Sequence, residues 1–526
     1  MSTRREFISK GSLSLLGLAA VPTLLSQCTS ANDATAVDVF TFPTVTPESE
    51  GVDSQALVNF VKAAKNSDLE WHSFKILRRG NILAEGHWNP FKEEYKHTLY
   101  SLSKSFTSTA IGLAVREGLI TVEDQVISFF PNDLPETVDE KLKNMKVKHL
   151  LTMNSGHESG TMGSMRENQG ANTWVQSFFA QPLTYEPGTH FLYNTGASYM
   201  LGAIIHSKTG QNLVEFLTPR FFNKLEIDGS DWEVSPEGLN TAGYGLRVKT
   251  NDIAKLGQFY LQNGTWKGED ILSEEWVAEA SIKQTDSQEN DSDWGQGYGY
   301  QFWRCKPEPG FYRGDGAFGQ YCIIIPQFDM TIAVTSESWD MGKSMKVIWD
   351  NVLPGVKSET LPANEDANNE LKELSSNLSI SPPIWHRTSP NSTKINEKIF
   401  TAEDNAYGIK SLTFDIADDQ GEVVFETENG SNKLFFGIEN WHTNDSYTVN
   451  NFSVAGRIHV PSLIAATATW LDDDTLQINR KFVEAIHGDT LVCFFDGDKV
   501  TVEFNNSVSQ NSGNIGDARE ALVAFT

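Results

Sequence analysis

The sequence is poor in cysteine and in positive charge, and each shortage excludes a class of function. Its four cysteines, at positions 28, 305, 322 and 493 of 526 residues, include no pair with the spacing of metal ligands. A His-Glu-x-x-His motif is also absent, so we expect neither a metal nor another cofactor. The 42 Lys and Arg residues are outnumbered by 69 Asp and Glu, for a formal net charge of −27. Because such a surface repels phosphate backbones, we expect no nucleic-acid partner.

An N-terminal apolar run long enough to cross a membrane comfortably is lacking as well. The stretch from Leu13 to Leu25 is short, and Gly17 and Pro22 interrupt it. A basic start before such a short apolar core is typical of an export signal, which we place at residues 1–28. We therefore expect the protein to leave the cytoplasm.

The same segment resembles two bacterial targeting motifs. Arg4 and Arg5, followed by Glu-Phe-Ile, resemble a twin-arginine export signal. Leu-Ser-Gln-Cys at residues 25–28 resembles a lipobox, although Gln27 occupies a position where a small residue is usual. Cys28 is therefore a lipidation candidate, with an unmodified cysteine in a cleaved peptide as the alternative. The expected location is the periplasm or, with a lipid anchor at Cys28, the cell envelope.

The remaining chain divides into four segments by composition. A polar tether at 29–50 precedes a catalytic domain at 51–356, and a linker at 357–395, rich in Ser, Pro, Asn, Glu and Asp, precedes a C-terminal domain at 396–526. In the catalytic domain, strand-like runs lie at both ends, around a turn at Arg79–Asn81 and at 298–305, 320–326 and 331–335. Helical patterns lie between them, which predicts an α/β domain whose first and last strands share one sheet.

Three further expectations concern the late part of the chain. The aromatic run at 298–303 is interpreted as core packing. Cys305 and Cys322 flank a predicted hairpin, and the sequence leaves both a disulfide and two buried free thiols open. After residue 396, short apolar runs alternate with turns, which predicts an all-β sandwich or barrel.

Ser101 and Lys104 are the first candidates for catalysis. A helix is predicted to follow Ser101, so two side chains three residues apart share one face, with Cβ atoms about 5–6 Å apart. A serine hydroxyl is a poor nucleophile until a base takes its proton, and lysine serves only where its surroundings lower its pKa. A helix start also favours developing negative charge. Because Ser-x-x-Lys occurs often by chance, an N-cap serine beside a solvated lysine is the alternative.

Four further motifs accompany Ser-x-x-Lys in order along the chain. They are HLLTMNSG at 149–156, EPGTHFLY at 186–193, GYGLRVKTNDIAKLG at 243–257 and GDGAFGQ at 314–320. With LYSLSKSFTS at 99–108, they resemble the serine hydrolases related to class C β-lactamases. That group includes penicillin-binding-protein-like enzymes, D-amino-peptidases, esterases and 6-aminohexanoate-dimer-hydrolase-like amidases. The resemblance covers roughly residues 40–355 and implies a β-lactamase-like fold, a mixed antiparallel sheet with flanking helices and a helical lobe.

The resemblance also implies roles for individual residues. Ser101 is the implied nucleophile, Lys104 its base, and Tyr193 a phenol that relays a proton if its pKa falls near that of lysine. The backbone N–H groups of Ser101 and Ala317 are the implied oxyanion hole. Asn194 is a candidate substrate-binding residue, and Thr195 stands where the family has asparagine.

The third family box is where this sequence departs most from the pattern. Family members carry Lys or His, a small residue and Gly on a strand that faces the serine, whereas this chain has Gly314-Asp315-Gly316. Lys208–Gly210 matches the letters but is predicted to end a helix. Residues 314–316 are therefore the expected substrate contacts, with glycines that let the chain approach the substrate. Asp315 is expected to repel a substrate carboxylate by about 1–4 kcal/mol at about 4 Å, unless Arg313 pairs with it.

These features predict an exported hydrolase that cleaves an ester or amide bond through an acyl-enzyme on Ser101. The expected substrate is a small molecule or peptide-like compound, and β-lactams are expected to be poor substrates. An alternative of the same class is a D-stereospecific peptidase or penicillin-binding enzyme. An alternative of another class is a surface binding protein that keeps the fold without activity. The sequence leaves the oligomeric state open.

Overall fold

The structure is a computed structural model that describes residues 40–526, apart from residues 169, 289, 397, 447, 450–460, 513–516 and 518. The predicted export signal at 1–28, with its lipidation candidate Cys28, lies outside the described residues, as does the first part of the predicted tether. No helix of the described part is long and apolar enough to cross a membrane. Residues Thr41–Thr526 cluster as one unit, in which two architectures follow one another.

The first architecture is built on strands from the two ends of the predicted catalytic domain. The strands are β1 (Glu70–Arg78), β2 (Asn81–His87), β3 (His97–Thr98), β4 (Asp231–Trp232), β5 (Leu246–Val248), β6 (Thr265–Trp266), β7 (Glu269–Asp270), β8 (Trp303–Arg304), β9 (Tyr312–Gly316), β10 (Gln320–Ile325) and β11 (Met330–Glu337). Six of them form an antiparallel sheet in the order β2-β1-β11-β10-β9-β8. The prediction that the first and last strands share a sheet is therefore confirmed.

Helices cover this sheet and form a separate lobe between β2 and β8. They are α1 (Ser54–Lys65), α2 (Ser103–Arg116), α3 (Glu140–Asn144), α4 (Val147–Leu151), α5 (Met162–Glu167), α6 (Trp174–Phe179), α7 (Thr195–Thr209), α8 (Leu213–Leu217), α9 (Thr250–Leu261), α10 (Glu274–Ser281), α11 (Met341–Val352) and α12 (Glu365–Ser376). Helix α9 packs on β1, β10 and β11, whereas α1 packs against α11 and α12. The predicted β-lactamase-like fold, with flanking helices and a helical lobe, is confirmed.

The alternation of side chains in β1 shows how the sheet is covered on both faces. Phe74 and Ile76 belong to a buried core that also contains residues of α1 and α11. Ser73 points the other way, and its Oγ lies 2.6 Å from Oγ1 of Thr250 at the start of α9. A central strand buried on both faces has little freedom to move, so the sheet is a firm platform for the residues at its edge.

One predicted strand is much shorter than expected. Of residues 298–305, only Trp303–Arg304 is a strand, because Gln301 has a φ of +64 that interrupts an extended backbone. The backbone N–H of Gln301 donates to the Leu151 carbonyl at 3.2 Å, and its Nε2 donates to the Leu150 carbonyl at 3.2 Å. Contacts with the helical lobe therefore override the strand pattern here.

The predicted tether and linker both pack against the catalytic domain where the structure describes them. Glu48, in the last part of the tether, is buried and accepts from the backbone N–H of Ser54 at 3.0 Å and from Asn368 Nδ2 at 2.8 Å. The segment 357–395 contains α12, and its Leu371 and Leu378 belong to the core beneath β1. The segment predicted as a linker therefore packs on the catalytic domain, because its few apolar residues are buried in an existing core.

The second architecture is a closed barrel, which settles the sequence-based choice between a sandwich and a barrel. Its elements are α13 (Ser392–Ile395), β12 (Ile399–Ala402), β13 (Ile409–Ile416), β14 (Gln420–Thr427), β15 (Gly430–Ile438), β16 (His442–Thr443), β17 (Thr448–Val449), β18 (Pro461–Ser462), β19 (Ile464–Asp472), β20 (Thr475–Phe482), β21 (Gly488–Asp496), β22 (Lys499–Asn506), α14 (Ser507–Ser512) and β23 (Leu522–Phe525). Parallel pairing of β15 with β19 closes a ring of nine strands. Phe414, Trp470 and Phe495 are among the side chains that fill the interior.

The barrel packs against the catalytic domain through apolar and charged contacts. Phe91 of the catalytic domain is buried with Ala465 and Val483 of the barrel. Beside this cluster, Lys481 Nζ lies 2.6 and 2.7 Å from the two carboxylate oxygens of Glu70. These contacts join the barrel to the start of β1, on the central sheet.

Candidate active site

Ser101 and Lys104 are brought together at the start of α2. Ser101 lies in a single 3-10 turn, Tyr100–Leu102, that leads directly into α2, and Lys104 lies in the first turn of that helix. Lys104 Nζ is 3.0 Å from Ser101 Oγ. Tyr100 has a φ of +47, which is rare for a residue other than glycine and turns the chain sharply into the helix. The two side chains that the sequence paired are therefore in contact.

The surroundings of Lys104 favour a neutral amine. The residue is 1% exposed, and its Nζ donates to the Gly243 carbonyl at 2.7 Å and to Thr195 Oγ1 at 3.3 Å. Burial lowers the pKa of Lys104 to about 7, although the Asp315 carboxylate opposes this shift. A neutral amine has two N–H donors and one lone pair. With the donors directed at Gly243 and Thr195, the lone pair faces the Ser101 hydroxyl.

Tyr193 joins this pair as a neutral phenol. Its hydroxyl is within hydrogen-bonding reach of Ser101 and of the Trp303 indole, and Lys104 Nζ lies 4.9 Å from the centre of its ring. Burial raises the pKa of Tyr193 above its ordinary value, and the hydrogen bonds with Ser101 and Trp303 offset this only in part. The condition that this pKa falls toward that of lysine is therefore not met. A protonated Tyr193 can still donate one hydrogen bond and accept another.

Asn194, which the sequence predicted to bind substrate, caps a helix. Its Oδ1 accepts from the backbone N–H of Gly196 at 3.1 Å and from the Thr161 hydroxyl at 3.0 Å, and the residue is buried. Asparagine is among the favoured residues at a helix N-terminus, so the cap explains where its oxygen lies, and a contact with substrate stays a prediction. The next residue, Thr195, makes the contact with Lys104 that the sequence did not predict.

The strand beside the nucleophile is β9, and it ends with residues 314–316. A Cβ atom at Gly316 would lie 2.1 Å from the Leu99 carbonyl oxygen, and one at Gly314 would lie 2.3 Å from Leu102 Cδ1. Both glycines therefore let β9 pack directly against the segment that carries the nucleophile. The expected close approach exists, but its partner is the protein's own backbone and side chains.

Asp315 is half of a buried ion pair. Arg313 Nε donates to Asp315 Oδ2 at 2.9 Å, and both residues are buried. The same guanidinium donates to the Arg304 carbonyl at 3.0 Å and lies 5.1 Å from the Trp294 ring. Burial raises the pKa of Asp315, and Arg313 opposes this shift. The sequence predicted repulsion of a substrate carboxylate only for an Asp315 that Arg313 does not pair with, and the structure shows the paired case, which has no net charge.

Ala317 lies in the tight turn between β9 and β10. Gln320 Nε2 donates to the Ala317 carbonyl at 3.0 Å and to the Ser336 carbonyl at 2.7 Å. The next residue, Phe318, has a φ of +64, and its carbonyl accepts from the Ser336 hydroxyl at 2.6 Å. Neighbouring strands thus hold the turn that presents the backbone N–H of Ala317.

Comparison with known proteins shows the family of this chain. The Beta-lactamase family model matches residues 72–357, which is more than half of the chain. The protein belongs to the β-lactamase family. Its relatives include the 6-aminohexanoate-dimer hydrolase of Paenarthrobacter ureafaciens, 26% identical over 289 residues, which are 51% of this chain and 72% of that protein. They also include the lovastatin esterase of Penicillium rubens, 27% identical over 188 residues, which are 32% of this chain and 46% of that protein.

Among solved structures, the octameric penicillin-binding protein homologue from Pyrococcus abyssi aligns with a TM-score of 0.46 and 17% identity. The alignment covers 90% of this chain and 100% of that chain. Membership of the β-lactamase family identifies the protein as a serine hydrolase.

Two aromatic side chains beside Tyr193 are absent from the sequence-based site of this β-lactamase-family protein. The Trp303 ring stacks on the Tyr193 ring at 5.3 Å between centres, and Tyr298 meets it edge-on at 6.1 Å. The interpretation of residues 298–303 as core packing is thus incomplete, because these buried rings also surround a site residue. Gly243 is missed for another reason, since its contribution is a backbone carbonyl and no side-chain pattern marks it.

The residues that the sequence set aside lie elsewhere in this β-lactamase-family fold. Lys208–Gly210 ends α7, and Gly210 has the φ of +72 that is usual for a glycine at a helix end, as predicted. Cys305 and Cys322 are buried free thiols, the second of the two alternatives. The part of the chain that the structure describes contains no cluster of three or more His, Cys, Asp and Glu side chains placed to hold a metal ion.

Proposed function

We propose that this protein hydrolyses an ester or amide bond through an acyl-enzyme formed on Ser101. The observation that carries the proposal is the 3.0 Å contact between Ser101 Oγ and Lys104 Nζ, in surroundings that lower the pKa of Lys104 to about 7. At neutral pH, about half of such amines are unprotonated. The serine therefore has a base beside it that is ready to accept its proton.

In the first step, Ser101 Oγ attacks the carbonyl carbon of the substrate while Lys104 Nζ takes the hydroxyl proton. A bond forms between Oγ and carbon, and the carbonyl π electrons move onto oxygen. The backbone N–H groups of Ser101 and Ala317 are the proposed donors to this oxyanion, each worth about 3–4 kcal/mol. The close packing of β9 on the nucleophile segment supports this role, because it holds the two backbone segments side by side.

The second step expels the leaving group. Tyr193 is proposed to give its proton to the departing oxygen or nitrogen while it takes one from the Lys104 ammonium, so that no free phenolate forms and the raised pKa of Tyr193 does not block the transfer. Water then attacks the acyl-enzyme while the neutral Lys104 takes a proton from it, and the acid product leaves as Lys104 returns this proton to Ser101 Oγ. Every group ends the cycle in its starting protonation state.

The proposed substrate is a neutral small-molecule or peptide-like ester or amide. Two relatives support this class by their names, a 6-aminohexanoate-dimer hydrolase and a lovastatin esterase. The Arg313–Asp315 pair adds no net charge beside the site, and Gly314 stands where the family carries a cation. With no cation there to attract a carboxylate, β-lactams are proposed to be poor substrates.

One observation favours a second candidate, a penicillin-binding enzyme or D-stereospecific peptidase. Because Arg313 neutralises Asp315, a substrate carboxylate is not repelled as an isolated aspartate would repel it. Stoichiometric labelling of the protein by a fluorescent penicillin, lost in the Ser101→Ala variant, would favour this candidate over the first.

A rapid-mixing assay with a nitrophenyl ester tests the leading proposal. An acyl-enzyme that forms faster than it breaks down releases a burst of nitrophenol equal to the enzyme present, followed by a slower steady rate. The same assay across short acyl esters, aminoacyl amides and β-lactams ranks the substrate classes. Full turnover by Ser101→Ala would overturn the proposal.

We also propose that the protein is exported and anchored by a lipid at Cys28. The proposal rests on the N-terminal sequence, which combines paired arginines, a short apolar core and a lipobox-like cysteine. Expression of the full chain and mass spectrometry of the mature N-terminus test it. A lipid-modified Cys28 as the first residue is expected, whereas an unprocessed N-terminus would contradict export.

A further inference from the structure

His487 connects the C-terminal barrel with both sides of the proposed oxyanion hole. The residue ends the loop between β20 and β21 and is 4% exposed. Among the catalytic-domain residues that its imidazole contacts are Tyr100 and Phe318. These two residues immediately precede Ser101 and follow Ala317, whose N–H groups are the proposed oxyanion donors.

Hydrogen bonds fix the orientation of the imidazole. His487 Nδ1 lies 2.8 Å from a carboxylate oxygen of Glu337, and Nε2 lies 2.6 Å from the Tyr100 hydroxyl oxygen. In a neutral imidazole whose Nδ1 donates to the carboxylate, Nε2 has a lone pair and accepts from the Tyr100 hydroxyl. The chain from Glu337 through His487 to Tyr100 therefore runs in one direction with every donor matched to an acceptor.

Ring contacts link the same histidine to the other side of the hole. The Phe318 ring meets the His487 ring edge-on, with centres 4.8 Å apart and planes at 89°. The Tyr100 ring meets the Phe318 ring at 5.2 Å. Tyr100, Phe318 and His487 thus form a cluster of three mutually contacting rings, two from the catalytic domain and one from the barrel.

The backbone of the two catalytic-domain residues needs such support. Tyr100 has a φ of +47 and Phe318 has a φ of +64, and residues with large side chains rarely adopt this conformation. It persists only where surrounding contacts hold it. The inner side of the Phe318 turn is held by Ser336, whose hydroxyl donates to the Phe318 carbonyl at 2.6 Å. His487 supplies contacts from the barrel to both side chains.

We propose that His487 is a positioning residue of the catalytic site. It holds Tyr100 and Phe318 so that the N–H groups of Ser101 and Ala317 converge on one substrate oxygen. The inference rests on the proposed function and deepens it, because the oxyanion hole then depends on the barrel for its geometry. His487 does not touch the reacting atoms, so its loss lowers the rate of acylation without changing the proton chemistry at Lys104.

Three variants of the full chain test this proposal. His487→Leu removes both hydrogen bonds of the ring, His487→Gln keeps a polar group of similar reach, and Tyr100→Phe removes only the hydroxyl. Removing an oxyanion donor outright costs about 100- to 1,000-fold in kcat, so misplacing one is expected to cost about 10- to 100-fold. We expect His487→Leu to lower kcat by that factor with KM little changed, and His487→Gln to recover part of the loss. The pH of half-maximal kcat should stay near that of the wild type.

A double-variant cycle separates the hydrogen bond from general packing. If the contact carries the effect, Tyr100→Phe combined with His487→Leu is no slower than His487→Leu alone. Val483→Ala serves as the matched control, because Val483 lies in the same loop and packs on Phe91 without touching Tyr100. That control is expected to lower the melting temperature while kcat stays within about twofold of the wild type.

Two outcomes would overturn the inference, and they differ from failure of the proposed function. Folded His487→Leu and Tyr100→Phe with wild-type kcat and wild-type rates of labelling by a fluorophosphonate would show that the site needs no support from the barrel. Equal losses of kcat in His487→Leu and Val483→Ala would assign the effect to general docking. If the wild-type protein itself neither turns over esters nor is labelled, the proposed function fails and the inference fails with it.

Discussion

The catalytic pair and the support of the oxyanion hole are built in opposite ways. Ser101 and Lys104 are three residues apart and meet because the turn that carries Ser101 runs directly into α2 and places both side chains on one face. Tyr100 and His487 are 387 residues apart and meet only when the barrel is closed and docked. The contact between nucleophile and base therefore depends on neighbouring residues, whereas the support of the proposed oxyanion hole depends on the folding of the whole chain.

The same contrast holds for charge. Lys104 is almost completely buried, no carboxylate among the described residues lies in direct contact with it, and burial lowers its pKa to about 7. Lys481, at the barrel contact, is partly exposed, and although burial opposes its charge, the carboxylates of Glu70 and Glu337 beside it raise its pKa. One lysine is therefore arranged to lose its proton and the other to keep it. Substitution of Lys104 should therefore lower activity and raise stability, whereas substitution of Lys481 should keep activity and lower stability.

The largest effect on activity is expected from Ser101→Ala, which removes the nucleophile. We expect kcat/KM to fall by at least about 10⁴-fold, with the fold unchanged, because no other group can form the acyl-enzyme. Steady-state assays with a nitrophenyl ester measure the loss. Ser108→Ala is the matched control, since Ser108 is a buried serine in α2, about two turns beyond Ser101, and it should keep wild-type activity. Comparable losses in both variants would contradict the assignment of the nucleophile.

Lys104→Met is expected to remove activity and to add stability. Loss of a general base costs about 10²- to 10⁴-fold in kcat. Between pH values near 7 and 10.5, the unfolded chain binds a proton that the folded site has released, so Lys104 makes the folded state more stable as the pH rises through this window. Below pH 7, the folded state holds a buried ammonium group.

The methionine removes the cost of that buried ammonium group. We expect Lys104→Met to raise the free energy of unfolding by about 1–4 kcal/mol near pH 6, and the gain to fade toward pH 10. Urea titrations of both proteins at the two pH values measure it. A variant less stable than the wild type at pH 6 would contradict the account of Lys104.

Tyr193→Phe is expected to have a moderate effect, because the ring stays in place and only the relayed proton is lost. We expect kcat to fall by about 10- to 100-fold, and more for amides than for activated esters, since a poor leaving group needs the proton most. Tyr321→Phe is a suitable control, because that hydroxyl contacts Ser344 on α11 at 2.9 Å instead. Equal losses for esters and amides would argue against a proton relay through Tyr193.

The pH dependence of the wild type should show a smaller, graded effect. Lys104 must be neutral to accept the Ser101 proton, so kcat/KM is expected to rise with pH and to level off above a midpoint near 7. At pH 6, the rate should be about one tenth of its plateau. A profile that is flat from pH 5 to pH 9 would show that no group titrating near 7 controls the reaction.

The smallest effect on activity is expected from Lys481→Met, which breaks the ion pair at the barrel. Both side chains are partly exposed, 14% for Lys481 and 25% for Glu70, so solvent screening limits the expected loss of stability to about 1–2 kcal/mol. Burial raises the pKa of Glu70, but the charge of the nearby Lys481 opposes this shift and helps to lower the pKa to about 2. The stabilisation is therefore present above pH 4.5 and is lost as the pH falls toward 2.

Kinetics and acid titration of Lys481→Met test both halves of this expectation. We expect kcat to stay within about threefold of the wild type, because Lys481 reaches Glu337 only at 3.7 Å and does not touch Tyr100. The difference in stability between the two proteins should shrink between pH 4.5 and pH 2. A loss of kcat in Lys481→Met as large as that in His487→Leu would show that docking of the barrel in general, and not the contact between His487 and Tyr100, controls the rate.

Much of the fold and the reactive pair could be predicted from the sequence, because both depend on near neighbours and regular patterns. The hairpin at Arg79–Asn81 and the shared sheet follow from alternation, and the contact between Ser101 and Lys104 follows from helix geometry. The packing of 357–395 could not be predicted, because its polar composition hides a few apolar residues such as Leu371 that fill a gap left by other elements.

Contacts that form on folding also decide details within the site. The start of α7 uses the oxygen of the Asn194 side chain as a cap. Arg313 and Asp315 are two residues apart in β9, so their side chains share a face and pair, which the sequence already allowed. His487 has no local signal, since its partners lie in another domain. These residues take their roles from what they meet after folding.

The site and stoichiometry of covalent labelling test most directly whether Ser101 is a nucleophile that Lys104 activates. The wild-type protein would be treated with a fluorophosphonate at neutral pH, and the adduct located by intact mass and peptide mass spectrometry. We predict one adduct per chain, on Ser101, with a labelling rate that falls as the pH drops below 7 because Lys104 becomes protonated. An adduct on another residue, or a folded protein that resists the reagent, would contradict the assignment of Ser101 as a nucleophile activated by Lys104.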